Sequence, residues 1–108
     1  NVPSYLGLAQ TSQSITADAS SQVSDVTSAI TEIDATSATG AISLADGTDG
    51  QIKIFINTST SGTNNVVITP TNLRGGTTIT LNAEGETAIC LFKNSKWNVI
   101  GGHGFAVA

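Results

Sequence analysis

Gln51-Ile-Lys-Ile-Phe-Ile56, Asn65-Val-Val-Ile-Thr69, Thr77-Thr-Ile-Thr-Leu81, Thr87-Ala-Ile-Cys-Leu-Phe92 and Lys96-Trp-Asn-Val-Ile100 follow one another through the second half of this chain. Each run alternates apolar and polar residues, the period of a strand with one buried face. Between them lie Pro70, Arg74-Gly75-Gly76, Glu84-Gly85 and Asn94-Ser95, turn residues about ten positions apart. That rhythm predicts an all-β domain, a single antiparallel β-sandwich or small barrel of jelly-roll type. Repeats of fixed long period are not visible, which weighs against a propeller or solenoid.

Working outward, Ala41-Ile-Ser-Leu44 reads as a further strand. It ends at Asp46-Gly47, and Thr48-Asp49-Gly50 turns the chain before Ile52, Ile54 and Ile56 align on one face. Asn57, Thr58, Ser59, Thr60, Ser61, Gly62, Thr63, Asn64 and Asn65 form a polar stretch without a large apolar group, expected as an exposed, comparatively mobile loop available for binding. Residues 14–38 are ambiguous. Val23, Val26, Ile30 and Ile33 have helical spacing, but the segment is rich in Ser, Thr, Val and Ile, which favours strands at Ser14–Ala17 and Thr27–Ala35. Residues 1–13 carry Val2, Tyr5, Leu6 and Leu8 between Pro3 and Gly7 and read as an extended arm. An arm with such groups is expected to lie on the domain or on a partner subunit. The expected organisation is therefore an arm over 1–13 and a β domain over 14–108, best supported over 41–102.

Composition narrows the function classes. Charged residues make up 11% of the 108, and the net charge is −4. Lys53, Arg74, Lys93 and Lys96 are scattered, so no basic cluster for nucleic acid is present. Apolar runs are far shorter than the ~20 residues of a membrane helix. The chain begins at Asn1 and contains no Met, which reads as removal of the initiator or trimming. A single cysteine forms no internal disulfide, and Cys90, between Ala88 and Phe92 on one face, reads as a buried thiol.

Chemistry-bearing patterns are few. His103 is flanked by glycines in Gly101-Gly-His-Gly104, without a partner that would orient it as a base. Asp46-Gly-Thr-Asp49-Gly resembles the start of a calcium loop, but Asn57 stands where an EF-hand needs its late Glu, so Asx turns explain it better. Glu84 and Glu86 are neighbours on one turn rather than opposed across a cleft. Glycines at 75, 76, 101, 102 and 104 match no phosphate-binding pattern. Trp97, sharing a face with Val99, is the expected core anchor. No enzyme activity, metal or cofactor is expected.

Taken together, Leu44-Ala-Asp-Gly-Thr-Asp-Gly-Gln-Ile-Lys-Ile54, Asn64-Asn-Val-Val-Ile-Thr-Pro70, Gly76-Thr-Thr-Ile-Thr-Leu81 and Lys96-Trp-Asn-Val-Ile-Gly-Gly102 resemble a β module of tailed-phage and other viral structural proteins. The resemblance covers 41–102 and implies a virion component, usually a homotrimer: a capsid decoration or cement protein on the capsid exterior, related to head-fibre and tail-fibre domains. Its implied partners are the major capsid protein and its own copies, with Val2, Tyr5, Leu6 and Leu8 as contacts. The alternative is a fibre module whose loop 57–65 meets a host glycan.

Overall fold

The structure, a computed structural model, describes residues 10–61 and 64–108, and every regular element among them is a strand. In chain order these are β1 (Ser12–Thr16), β2 (Ser21–Ser24), β3 (Ile30–Asp34), β4 (Gly40–Leu44), β5 (Ile52–Asn57), β6 (Val66–Pro70), β7 (Ile79–Leu81), β8 (Thr87–Lys93), β9 (Lys96–His103) and β10 (Ala106–Val107). They form two five-stranded sheets: sheet A, ordered β1-β3-β5-β8-β9, and sheet B, ordered β10-β7-β6-β4-β2. The all-β, sandwich-like expectation holds. Its antiparallel, jelly-roll connectivity does not.

Odd-numbered strands up to β5 enter sheet A and even-numbered ones up to β6 enter sheet B, and neighbours within each set are parallel. The chain thus winds as three turns of a flattened coil: β1 with β2, β3 with β4, β5 with β6. This corrects the inference against a solenoid. Ser12 aligns with Ile30 and Ile30 with Ile54, steps of 18 and 24 residues. On the other sheet Ser21 aligns with Ala41 and Gly40 with Val66, steps of 20 and 26. Unequal steps conceal the winding from any search at fixed period. What does recur is the corner at the ends of β1, β3 and β5, an Asp or Asn followed two residues later by Ser or Thr. Asp18 accepts from the Ser20 amide, Asp34 from the Thr36 amide and Asn57 from the Ser59 amide. These short side-chain acceptors satisfy backbone donors where the strand ends, turning the chain toward the opposite sheet.

Antiparallel strands close the stack. β8 pairs with β5 and β9 with β8 on sheet A; β7 pairs with β6 and β10 with β7 on sheet B. Asn94 and Ser95 both adopt positive φ, 54° and 64°, between Lys93 and Lys96. This two-residue connection matches the right-handed twist of the hairpin. Pro70 ends β6 as expected, having no amide to extend the ladder.

The strands over Ser14–Ala17 and Thr27–Ala35 are present as β1 and β3, with no helix between. β2 is the strand that the reading of 14–38 omitted. β1 starts at Ser12, inside the stretch read as an arm. The two sheets enclose one core, with Ile15, Ile33 and Phe55 from sheet A facing Ile42, Leu44, Val66 and Ile68 from sheet B. Trp97 is fully buried, its ring 5.1 Å from Phe92 and edge-on to it, and its indole N–H donates to the Ala45 carbonyl at 2.9 Å.

Candidate functional site

Two residues of the stretch 57–65, expected to be exposed, are buried: Asn57 and Ser59. Asn57 is only 1% exposed. Its side-chain amide donates to the Leu81 carbonyl at 3.1 Å, while its backbone N–H donates to Glu86. Ser59 is also buried, and its Oγ accepts the Ala35 amide at 2.8 Å. Thr60 donates its amide to Thr36 Oγ1, and Asn64 reaches the Thr36 carbonyl. Burial of this polar run is possible because Asn57 is met by Leu81 and Glu86 from later in the chain, while Ser59, Thr60 and Asn64 find partners on the preceding turn of the coil. Thr58 is half-buried, and Thr60, Ser61 and Asn65 are exposed; Gly62 and Thr63 lie outside the described residues. A shallow hollow of about 120 Å³ opens between Ser59, Thr60, Ser61 and Asn64 on one side and Asn82 and Glu84 on the other. Hydroxyls, amides and one carboxylate line it, a hydrogen-bonding surface without an aromatic platform.

The titratable residues are dispersed. Asp46 accepts both of its bonds from Asn72, and Asp49 pairs with Lys93 at 3.6 Å on the surface. Glu86 accepts the Asn82 amide, within the turn that also holds Glu84. His103 is exposed and its backbone amide bonds Thr87 Oγ1. Among the described residues no three His, Cys, Asp or Glu side chains come together as a metal site. Cys90 is fully buried, and burial pushes its thiol up to about 12, which keeps it protonated and unreactive.

Strand β5 holds what the sequence reading did not assign. Its inward side chains are Lys53, Phe55 and Asn57; Ile52, Ile54 and Ile56 point out. Lys53 is 0% exposed. Its ammonium donates to the carbonyls of Asp25 and Ser28, both at 2.6 Å, and lies 3.8 Å from the Asp25 carboxylate and 5.8 Å from the Phe55 ring centre. It closes the turn between β2 and β3 from inside the core. Desolvation holds its pKa below the ordinary lysine value, partly offset by Asp25. The signal that places Lys53 inside is Phe55, two residues on: the aromatic marks the core face, and Lys53 shares it.

Register then assembles an apolar outer face on sheet A. Ile30 pairs with Ile54 and Ile54 with Ile89; Ile52 pairs with Leu91; Ile56 pairs with Thr87 and stands beside Glu32. Paired residues share a face, so five branched side chains across β3, β5 and β8 adjoin with no charge among them. Ile52 is 48% exposed and the others are half-buried. At one end of this face Gln10, Ala29, Gly50, Ile52 and Ile54 line an apolar hollow of about 390 Å³. The outer face of sheet B is mixed: a small polar hollow lies among Ser21, Ala41, Ser43 and Thr69, and Val23, 65% exposed, stands beside Ser43. Val2, Tyr5, Leu6 and Leu8, expected as partner contacts, lie outside the described residues. No family model and no curated protein matches this chain.

Proposed function

We propose that this chain is a virion structural protein, a capsid decoration or cement protein that binds the outer surface of an assembled shell as a homotrimer and stabilises it. The observation that carries this reading is the apolar outer face of sheet A: the most distinctive surface of the domain is contact area, laid on a rigid two-sheet scaffold. The phage-module resemblance over 41–102 supplies the setting. A protein that binds only the assembled shell favours assembly by mass action, and three linked copies strengthen each attachment without any chemical step. The major capsid protein and further copies of this chain are the partners, and the capsid exterior is the location.

Light scattering on the purified chain should give three times its 10.9 kDa mass, and shells assembled from the cognate major capsid protein should retain it and melt at higher temperature. A monomer that sediments free of shells refutes the proposal. The polar hollow beside Asn64 and Glu84 favours a second reading, a tail-fibre or head-fibre module that contacts a host glycan. Glycan-array binding lost in Thr60→Ala and Asn64→Ala, without shell binding, would establish that one instead.

A further inference from the structure

The middle strands of sheet A have the composition of strands covered on both sides. β8 runs Ala88-Ile-Cys-Leu-Phe92 without a polar break, and β5 interrupts Ile52-Lys-Ile-Phe-Ile56 only at Lys53, which points inward. Near-continuous apolar runs belong to sheets buried on both faces, whereas a sheet with one wet face alternates. β4 on sheet B keeps that alternation, with Ala41 and Ser43 outward. Sheet B covers the inner face of sheet A, yet Ile52 on the outer face is 48% exposed. Two charges share that outer face, both at its margins. Glu32, beside Ile56, accepts a bond from Ser14 Oγ at 2.6 Å, and Lys93, at the end of β8, lies 3.6 Å from Asp49. We propose that the outer faces of sheet A of three copies of this chain turn toward one another about a threefold axis along the strands, the β3 flank of each meeting the β8 flank of the next. The inference rests on the proposed homotrimer, and it assigns this face to the chain's own copies, leaving shell contact to the rest of the surface.

Register and charge favour this arrangement. With strands parallel across the contact, residues at one level meet. Ile30 and Ile89 are level through Ile54, so each Ile30 meets a neighbour's Ile89. Leu91 is level with Ile52, beside the apolar hollow of about 390 Å³ that opens on the β3 side among Gln10, Ala29, Gly50, Ile52 and Ile54. Leu91 of one copy therefore enters the hollow of the next. Glu32 is level with Ile56 and Thr87, and its carboxylate faces a neighbour's hydroxyl. Lys93, two residues beyond Leu91, comes level with the 25–28 turn, where the Asp25 carboxylate is 41% exposed. Neither charge faces its own copy, because the two flanks differ. Stacking two copies end for end would instead set Glu32 over the apolar hollow, a carboxylate stripped of water without a donor. A contact between unlike flanks is heterologous, and a threefold rotation closes it into a ring. Outward isoleucines are then covered in the free protein, which accounts for their coexistence with solubility.

Disulfide trapping reads the arrangement directly. Within one chain Ile30 and Ile89 are two strand intervals apart, about 10 Å, beyond the span of a disulfide, so Ile30→Cys with Ile89→Cys cannot close internally. Oxidation with copper phenanthroline should link this protein, or a second one carrying Ile30→Cys with Leu91→Cys, into closed covalent trimers. The single variants refolded together should give two-chain products, and each alone should stay unlinked. Cys90 is left in place, since its buried thiol, pushed up to about 12, stays protonated. Double variants that stop at two chains, links between copies of one single variant, or free thiols in both double variants overturn the proposal. Ile54→Asp gives an arm without new cysteines. Its mass by light scattering should fall threefold from that of wild type, to 10.9 kDa, with a cooperative circular dichroism melt. A folded Ile54→Asp trimer that no longer binds shells assigns the face to the shell, which overturns this inference while the cement reading stands. A wild-type monomer that sediments free of shells overturns both.

Discussion

Replacing Lys53 by Met tests whether the buried ammonium fastens the turn between β2 and β3 or burdens the core. The unbranched stem is preserved, so packing beside Phe55 and Cys90 changes little. Lost are two hydrogen bonds from a charged donor, to the Asp25 and Ser28 carbonyls, each contributing about 1.5–3 kcal/mol. Gained is relief from desolvating a charge, an effective penalty of several kcal/mol. The Asp25 carboxylate, 41% exposed, is screened by water and adds little to either side. The balance turns on the Ser28 carbonyl, which is left in a buried position without its donor. Orphaned groups of this kind cost about 1–3 kcal/mol, and that is the expected net loss for Lys53→Met. With about 4–8 °C per kcal/mol for a small domain, the melting temperature should fall by about 5–20 °C. Lys53→Ala should lose a further 2–5 kcal/mol, roughly, to the vacated volume. Circular dichroism melts of the three proteins measure this, and pH supplies an independent arm. The folded-state pKa lies below 10.5, so between the two values the unfolded chain binds more protons and stability rises with pH. Cys90 opposes this above pH 9, but it is present in both proteins and cancels in their difference. The stability of wild type relative to Lys53→Met should therefore widen as pH approaches 10.5. A variant as stable as wild type or more so, with a flat difference profile, refutes the fastening role.

Three other outcomes are expected. Asp18 is held below the usual carboxylate range by the Ser20 hydroxyl and amide, Asp25 by the Ser28 amide, and Asp34 by the Thr36 hydroxyl and amide; their contribution is present above pH 3.8 and lost as pH falls through the lower folded values. Urea titrations from pH 5 down to pH 2 should show that loss, and a triple Asn variant should show less of it. Asn57→Ala removes a buried donor to Leu81 and the acceptor of the Ser59 amide, so it should cost about 2–4 kcal/mol in urea unfolding; an effect below 0.5 kcal/mol, the range of ordinary surface changes, would mean that the loop is not anchored there. Trp97→Phe, followed by circular dichroism, should cost about 2–3 kcal/mol from the lost bond to Ala45 and the smaller ring, and an unchanged midpoint would contradict the packing described.

Strand content was legible from Ala41 onward because alternation there is bounded by Gly, Asn and Pro, and the structure places β5 through β9 on those runs. Parallel winding was hidden for a physical reason. Coil steps of 18, 24, 20 and 26 residues vary with loop length, and loops cost little to lengthen. The corners at Asp18, Asp34 and Asn57 were the available trace, a local hydrogen-bonding motif rather than a period. Alternation alone also leaves open which of the two faces is inside. On β5 hydrophobicity alone would bury the isoleucines, whereas Phe55 and the carbonyls of the 25–28 turn take Lys53 inward. The outer apolar face became visible only through register, because Ile30, Ile54 and Ile89 are distant in sequence. Asn57 and Ser59 looked exposed from their polarity, yet their partners, Leu81 and Ala35, lie on other segments that no local reading connects.

The coil also sets an order of opening. Each of its turns rests mainly on the next, so stability is a chain of nearest-neighbour couplings rather than one shared property. β1 and β2 have a neighbouring strand on one side only, and Gln13 and Gln22 span the gap between them by bonding the Val23 and Thr16 carbonyls. At the far end the β8–β9 hairpin is joined by two residues and needs almost no loop closure to form. Amide exchange should accordingly run as a gradient, fastest at Ser12–Ser24 and slowest where β5 meets β8, so that the molecule frays toward its amino-terminal turn while the closing hairpin remains intact.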